Sequence, residues 1–401
     1  MKAKLVGTAL FVLTTAAVAF PALRSNTAVN TTPIVTAALQ PALPVNRPVI
    51  DVVFVLDTTG SMSGLIDAAK EKIWSVASSM ASAQPAPIIR MGLVGYRDRG
   101  DEYVTRVVDL SPDIDTMYAT LMQLTANGGG DSPESVNQAL NEAVTRMSWS
   151  SDGNAYKVIF LVGDAPPHMD YADDVKYPQS LAVAAERGIV VNTIQCGNAP
   201  DAKQPWQQIA SIGHGSYFNV DQAGSAVAIA TPFDAELARL SAALDETRLY
   251  YGTKEEKART RVKVEATDAL HALASPASQA RRAAFNASDA GVINAIGDSE
   301  LVADVTSGRV DLAKVEADKL PEPLQALSVD ERKKLVSESA AKRSDLQRQI
   351  RLLADQRDDY AAEQIAASGG AKDSLDDKIY GAVREQAEKK GLSYPAAAPK
   401  Y

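Results

Sequence analysis

Asp57-Thr-Thr59-Gly-Ser61 carries one carboxylate and two closely spaced hydroxyls directly after the unbroken apolar run from Val52 to Leu56. Two more carboxylates stand at comparable places. Asp164 follows the apolar run 158–162 after Gly163, and Asp131 closes the stretch Asn127-Gly-Gly-Gly. Carboxylate and hydroxyl oxygens are hard donors, suited to Mg²⁺, Mn²⁺ or Ca²⁺. A single turn can aim hydroxyls two residues apart at one ion. Carboxylates drawn together repel each other unless a cation joins them. The chain has one cysteine, Cys196, and three histidines, His168, His214 and His271. These are too few for a Cys-rich zinc site or a His cluster, and one cysteine excludes an intrachain disulfide.

Such residues need a scaffold that brings distant strand ends to one edge. The run 49–56 is largely β-branched or aromatic, as in a strand buried on both faces. After Ser63, Leu65, Ile66, Ala69, Ile73, Val76, Ala77 and Met80 recur with a helical period and predict a helix over 62–82. The alternation continues with a strand over 88–96, an antiparallel edge strand over 103–110 and a helix over 114–124. Ser132 can cap a further helix with Pro133 at its first position, running through Met147. Strands at 157–162, 189–194 and 215–220 then alternate with helices at 179–187 and 206–212, and helix signals run from 233 towards 250. This predicts an α/β fold over 49–250, a doubly wound, mostly parallel sheet covered on both faces. Such sheets bind ligands beyond the C-terminal ends of their strands.

From about residue 253 apolar strands vanish and Ala, Glu, Lys, Arg, Asp and Gln dominate, so an α-helical C-terminal region is expected. Residues 251–327 read as mostly helical. A long helix over 328–368 opens with the capping box Ser328-Val-Asp-Glu331. Leu346, Ile350, Leu353 and Tyr360 give it a short coiled-coil-like seam, interrupted by Arg357. Within 369–401, a short helix with Leu375, Ile379, Val383 and Ala387 precedes a tail expected to be disordered.

With these motifs in this strand order, residues 49–250 resemble a von Willebrand factor A domain with its metal-ion-dependent adhesion site. The family's first motif, Asp-x-Ser-x-Ser, stands here as Asp57-Thr-Thr59-Gly-Ser61, where threonine keeps the hydroxyl of the first serine. The family's last Asp, after an apolar strand, matches Asp164. Its third element is often a threonine; the best match here is Asp131 in Gly-Gly-Gly-Asp-Ser-Pro-Glu, a form associated with bacterial members. The C-terminal helices are also similar to the tails of exported bacterial proteins of this type. The resemblance implies a metal set of Asp57, Thr59, Ser61, Asp131 and Asp164 on Mg²⁺ (or Mn²⁺ or Ca²⁺), with no catalytic residues. It implies a partner protein that presents an acidic residue to the ion's open position. The added charge of Asp131 lessens the need for that acidic ligand.

Neighbouring residues admit plainer readings. Ser132 competes with Asp131 as a ligand but is also the natural helix cap. Glu134 falls in the first helical turn, where it compensates the helix dipole, with a direct metal role as the alternative. His168 either lines the mouth of the site or is incidental to its loop. Asp98, Arg99 and Asp101 read as a solvated turn, with a loop that borders the site as the alternative, and Cys196 reads as a small buried apolar residue.

Residues 1–22 read as an export signal, with Lys2 and Lys4 ahead of an apolar stretch from Leu5 to Phe20 and Ala17-Val18-Ala19 at the cleavage region. An uncleaved membrane anchor is the alternative. Residues 23–48 read as a flexible linker. The expectation is an exported protein, periplasmic or extracellular, that touches a membrane only through its N-terminal segment. A formal net charge of −9 argues against a nucleic-acid partner. The first functional reading is a metal-dependent protein-binding module whose C-terminal helix offers a seam for self-association. The second is an adaptor subunit of an ATP-driven remodelling or chelatase-type complex, itself without a Gly-x-x-x-x-Gly-Lys-Ser/Thr loop. A metal-dependent hydrolase is the third, and it lacks an evident general base.

Overall fold

The computed structural model describes residues 47–130, 132–222, 229–367 and 374–395. The export-signal and linker expectations and Asp131 therefore lie outside the described residues, apart from 47 and 48. The chain runs β1 (Val49–Asp57), a 3₁₀ turn at Gly60–Met62, α1 (Ser63–Ala81), β2 (Ile88–Tyr96), β3 (Thr105–Ser111), α2 (Ile114–Gln123) and α3 (Val136–Thr145). It continues through β4 (Tyr156–Gly163), α4 (Tyr177–Glu186), β5 (Ile189–Cys196), α5 (Pro200–Ile212) and β6 (His214–Val220). These strands form one sheet in the order β3-β2-β1-β4-β5-β6, parallel except for β3 at the edge. Six strands, five of them parallel, with helices on both faces are the doubly wound arrangement expected of the alternating pattern.

Side-chain alternation along the strands splits the core in two. Val52, Phe54 and Leu56 of β1 join Trp74 of α1 and Phe160 of β4 in one cluster. Val53 and Val55 point the other way, into a cluster with Leu140 of α3, Ile159 and Trp206 of α5. Removing one such side chain from water stabilises the fold by about 1.5–3 kcal/mol. The register places Asp57 opposite Tyr96 and Leu56 opposite Val162, so β1, β2 and β4 end along one edge.

One boundary differs from the sequence expectation. The helix predicted to start at a Ser132 cap begins at Val136. The Glu134 N–H donates to the Pro166 carbonyl at 2.9 Å, and its own carbonyl accepts from the His168 N–H at 3.0 Å. That bridge holds Glu134 against the loop after β4.

The C-terminal region is helical throughout its described length: α6 (Asp234–Asp245), α7 (Lys254–Leu273), α8 (Pro276–Asn286), α9 (Val292–Ile296), α10 (Leu301–Thr306), α11 (Glu322–Gln325), α12 (Val329–Ala367) and α13 (Leu375–Glu388). The Ser328–Glu331 capping box is formed, with the Ser328 N–H donating to the Glu331 carboxylate at 2.8 Å. The coiled-coil-like seam of α12 is used within the chain: Leu346 and Ile350 pack with Leu237, Leu240 and Leu244 of α6 and Ala280 and Ala283 of α8. Arg357, which interrupts the seam in sequence, is buried and reaches Asp234 at 3.0 Å. Among the described residues no helix is long and apolar enough to cross a membrane.

α13 returns to the sheet. Ile379 and Val383 enter the same cluster as Trp74 and Phe54. Lys72 of α1 and Asp376, both buried, lie 3.0 Å apart. The Gln386 amide bonds the Tyr156 hydroxyl at 2.7 Å and the Asn192 side chain at 2.8 Å.

Candidate metal centre

The chain turns sharply after β1 because Asp57 accepts two bonds from Thr59. Its Oδ1 takes the Thr59 N–H at 2.9 Å and the Thr59 hydroxyl at 2.7 Å. The Thr59 and Ser61 hydroxyls are 3.3 Å apart. The loop after α2 braces this turn twice: the Gly60 N–H donates to the Gly128 carbonyl at 3.1 Å, and the Asn127 N–H to the Thr58 carbonyl at 3.1 Å. Gly128 and Gly129 have φ of +74° and +68°, a region that favours glycine. The pair swings its loop across the end of β1. Asp164, directly after β4, faces the same turn, and its Oδ2 accepts from the Gln222 amide at 2.6 Å. Gln222 also donates to the Ser61 carbonyl at 3.2 Å.

The expected residues Asp57, Thr59, Ser61 and Asp164 are thus brought to one place. Asp57 and Thr59 are buried, while Ser61 lies at the exposed side. The alternative ligand Ser132 is exposed.

Asp57 is fully enclosed, and its Oδ2 has no hydrogen-bond partner. Burial pushes its carboxyl up to about 7; the two Thr59 bonds oppose the rise and the charge of Asp164 adds to it. A buried, unpartnered carboxylate oxygen beside two hydroxyls and a second carboxylate fits a hard divalent cation. Among the described residues no group of three or more His, Cys, Asp or Glu side chains is arranged to hold a metal alone.

Several residues of the centre were given other roles by the sequence. Glu134, expected in a helical first turn, is 3% exposed, and its Oε2 has no partner. Burial pushes its carboxyl up to about 9, with Asp57, Asp98, Asp101 and Asp164 adding to the rise. Asp98, expected in a solvated turn, is buried; it accepts from the Ser135 hydroxyl at 2.7 Å and the Tyr171 hydroxyl at 2.8 Å. His168 is buried, stacks on the Tyr171 ring at 3.9 Å and bonds Asp170 at 2.8 Å. Arg97 ties the loops together through the Thr58 carbonyl at 3.1 Å and the Thr125 carbonyl at 2.7 Å. The signal available for Arg97 and Asp98 was their position at the end of a buried strand, as for Asp57 and Asp164. Cys196 is buried, and burial pushes its thiol up, with the charges of Asp164 and Asp57 adding to the rise.

Residues 51–231 match the family model of the von Willebrand factor A domain. Over 120 residues the chain is 33% identical to von Willebrand factor A domain-containing protein 7 of Mus musculus, covering 30% of this chain and 12% of that one. Over 123 residues it is 27% identical to putative ariadne-like RING finger protein R811 of Acanthamoeba polyphaga mimivirus, covering 31% and 12%. The similar stretch is thus a small fraction of either relative's length. Among solved structures, the SpRpn10 VWA domain covers 44% of this chain and 89% of its own, at 13% identity and a TM-score of 0.33. Proximal thread matrix protein 1 from the mussel byssus, with zinc in its MIDAS motif, covers 43% and 42% at 16% identity and a TM-score of 0.34.

Proposed function

We propose that the von Willebrand factor A domain at residues 51–231 is a divalent-cation-dependent protein-binding module without catalytic activity. Domains of this kind are generally interaction modules. The observation that carries the reading is Asp57: a wholly buried carboxylate with one oxygen held by Thr59 and the other without a donor. Asp57, Thr59, Ser61 and Asp164 would hold the ion, and Asp131 is proposed to complete the set. When bound, the ion supplies positive charge with exchangeable coordination positions, and Mg²⁺ suits this because it retains replaceable waters. Thr59 is fixed by its bonds to Asp57, which pre-orders the hydroxyl before any cation arrives. A partner protein would then present an acidic side chain on the side where Ser61 is exposed. Export through residues 1–22 belongs to the same proposal and would set the partner in an envelope or extracellular compartment.

The test is a pull-down from an envelope fraction in Mg²⁺ and in EDTA, with wild type and Asp57→Ala. The expected result is a partner retained only by wild type in Mg²⁺. A partner that stays bound in EDTA and to Asp57→Ala overturns the reading.

A further inference from the structure

We propose that a cavity between α1, α8 and α12 binds a small free oxyanion of the phosphate or sulfate class, held by the guanidinium of Arg281. Ser75 and Ser78 of α1, Arg281 of α8, Ser288 just beyond it, and Arg357 and Asp358 of α12 line a space of about 60 Å³. One water needs roughly 10–15 Å³ on the same measure, so the space suits a few waters or one tetrahedral ion. Ser75 lies about 18 Å along the helix axis from Ser63 at the start of α1. The cavity is therefore separate from the centre at the sheet edge, and the proposal does not depend on the cation reading.

Arg281 is 3% exposed, yet it uses only one arm. Its Nη1 donates to the Glu71 carbonyl at 3.4 Å and lies 3.8 Å from the Glu71 carboxylate, which already accepts from the Ser275 hydroxyl at 2.8 Å. Its Nε and Nη2 have no hydrogen-bond partner. Those two atoms form the edge of a guanidinium that takes an oxyanion through two parallel bonds. Arg90 and Arg282 present that same edge to Asp51 and Asp115. The fork of Arg281 is as deeply buried and meets no acid. Burial pushes its guanidinium down to about 10, with the charge of Arg357 adding to the fall and Asp376, Glu71 and Asp234 opposing it. It is therefore still charged at neutral pH, and a buried charge with two unmet donors is costly. The hydroxyls of Ser75 and Ser78, one helical turn apart, also lack a partner, although Thr145 and Thr267 return theirs to the carbonyl a turn back. They can donate to oxygens that the Arg281 fork does not reach. Arg357 brings a second cation to the lining; it holds Asp234 at 3.0 Å and lies 3.8 Å from Asp358, the acid of the lining.

The probe is inorganic phosphate, with sulfate alongside, titrated by calorimetry into the full chain in EDTA, against chloride at matched ionic strength. One saturable site is expected, with a Tm that rises with phosphate concentration. Arg281→Met should weaken binding by about tenfold or more, and Ser75→Ala by about threefold or more. Arg281→Lys keeps the charge and loses the fork, so it should fall between wild type and Arg281→Met. If Arg281→Met does not fold, Ser75→Ala and Arg281→Lys decide. Ser78→Asp supplies a carboxylate from the chain itself; it should lose the response to phosphate and melt in chloride no lower than wild type. Glycerol phosphate, which carries a stub the cavity does not hold, should bind more weakly than phosphate, and equal binding overturns the assignment to a free ion. Phosphate and sulfate that bind no better than chloride overturn the proposal, as does binding that is unchanged in the Arg281 and Ser75 variants.

Discussion

The two ends of β1 each bury an aspartate, and they treat it in opposite ways. At the start of the strand, Asp51 lies in register with Arg90 of β2 and receives its fork at 2.7 and 2.5 Å, with the Ser150 N–H adding a bond at 2.7 Å. At the far end, Asp57 lies in register with Tyr96, has no cationic side chain beside it and keeps one oxygen without a partner. The helical layer follows the first pattern. Asp115 takes both arms of Arg282 at 2.6 and 2.7 Å, and Glu300 takes Arg343 at 2.9 and 3.0 Å. The buried acids Asp51, Asp115, Asp234 and Glu300 each face an arginine, whereas Asp57 faces none, in keeping with the cation proposed for its edge. A buried pair commits both residues to the fold, whereas a buried acid without such a partner is a candidate for function.

That contrast can be broken most directly at Asp57. Asp57→Ala is expected to abolish Mn²⁺ binding by calorimetry. Asp57→Asn should melt in EDTA no lower than wild type, since it removes repulsion and no ion pair. At the other end of the strand the sign reverses. Arg90→Met strands Asp51 and should cost about 3–5 kcal/mol in urea unfolding. If Asp57→Asn and Arg90→Met destabilise the metal-free chain equally, the two ends are not different in kind.

Acid unfolding sharpens the same distinction in the helical layer. Burial alone would raise the Asp115 carboxyl, but Arg282 and Lys263 more than reverse it and hold it well below the usual 3.8. A depressed folded-state value contributes stability that is present above the unfolded value and is lost as pH falls towards the folded one. Wild type should therefore lose stability progressively below about pH 4. Asp115→Asn should show a shallower acid limb, from a lower starting stability. An unchanged limb would remove Asp115 from the account.

Gly129→Ala should have a smaller effect, about 1–3 kcal/mol, because φ is +68° and the new methyl meets Glu134 and Thr59. Mn²⁺ titration of that variant checks whether the loop's position matters to the ion. Arg239→Ala is the control: its pair with Glu236 is on the surface, and no measurable change in Tm is expected.

Much of this was legible in the sequence where one strand carries the information. Asp57, Thr59, Ser61 and Asp164 follow unbroken apolar runs, so strand ends and oxygen donors could be read together. The burial of Glu134 and Asp98 was not legible, because it depends on bonds between loops far apart in sequence, although the strand-end position of Asp98 was. A Pro-Glu pair after a serine looks the same whether it starts a helix or bridges to Pro166. Arg357 looked like a break in a seam because its partner, Asp234, lies on another helix. The short amphipathic helix with Ile379 and Val383 was visible as a helix, but nothing local says which surface it covers.

That last packing has a consequence for how the molecule is made. The sheet is complete once Val220 has been synthesised, yet the apolar floor around Trp74 and Phe54 is finished by Ile379 and Val383. At roughly 5–20 residues per second, the ribosome leaves that floor uncovered for on the order of ten seconds or more. Throughout that interval the nascent sheet exposes a sticky face that its own later segment must reach before another chain does.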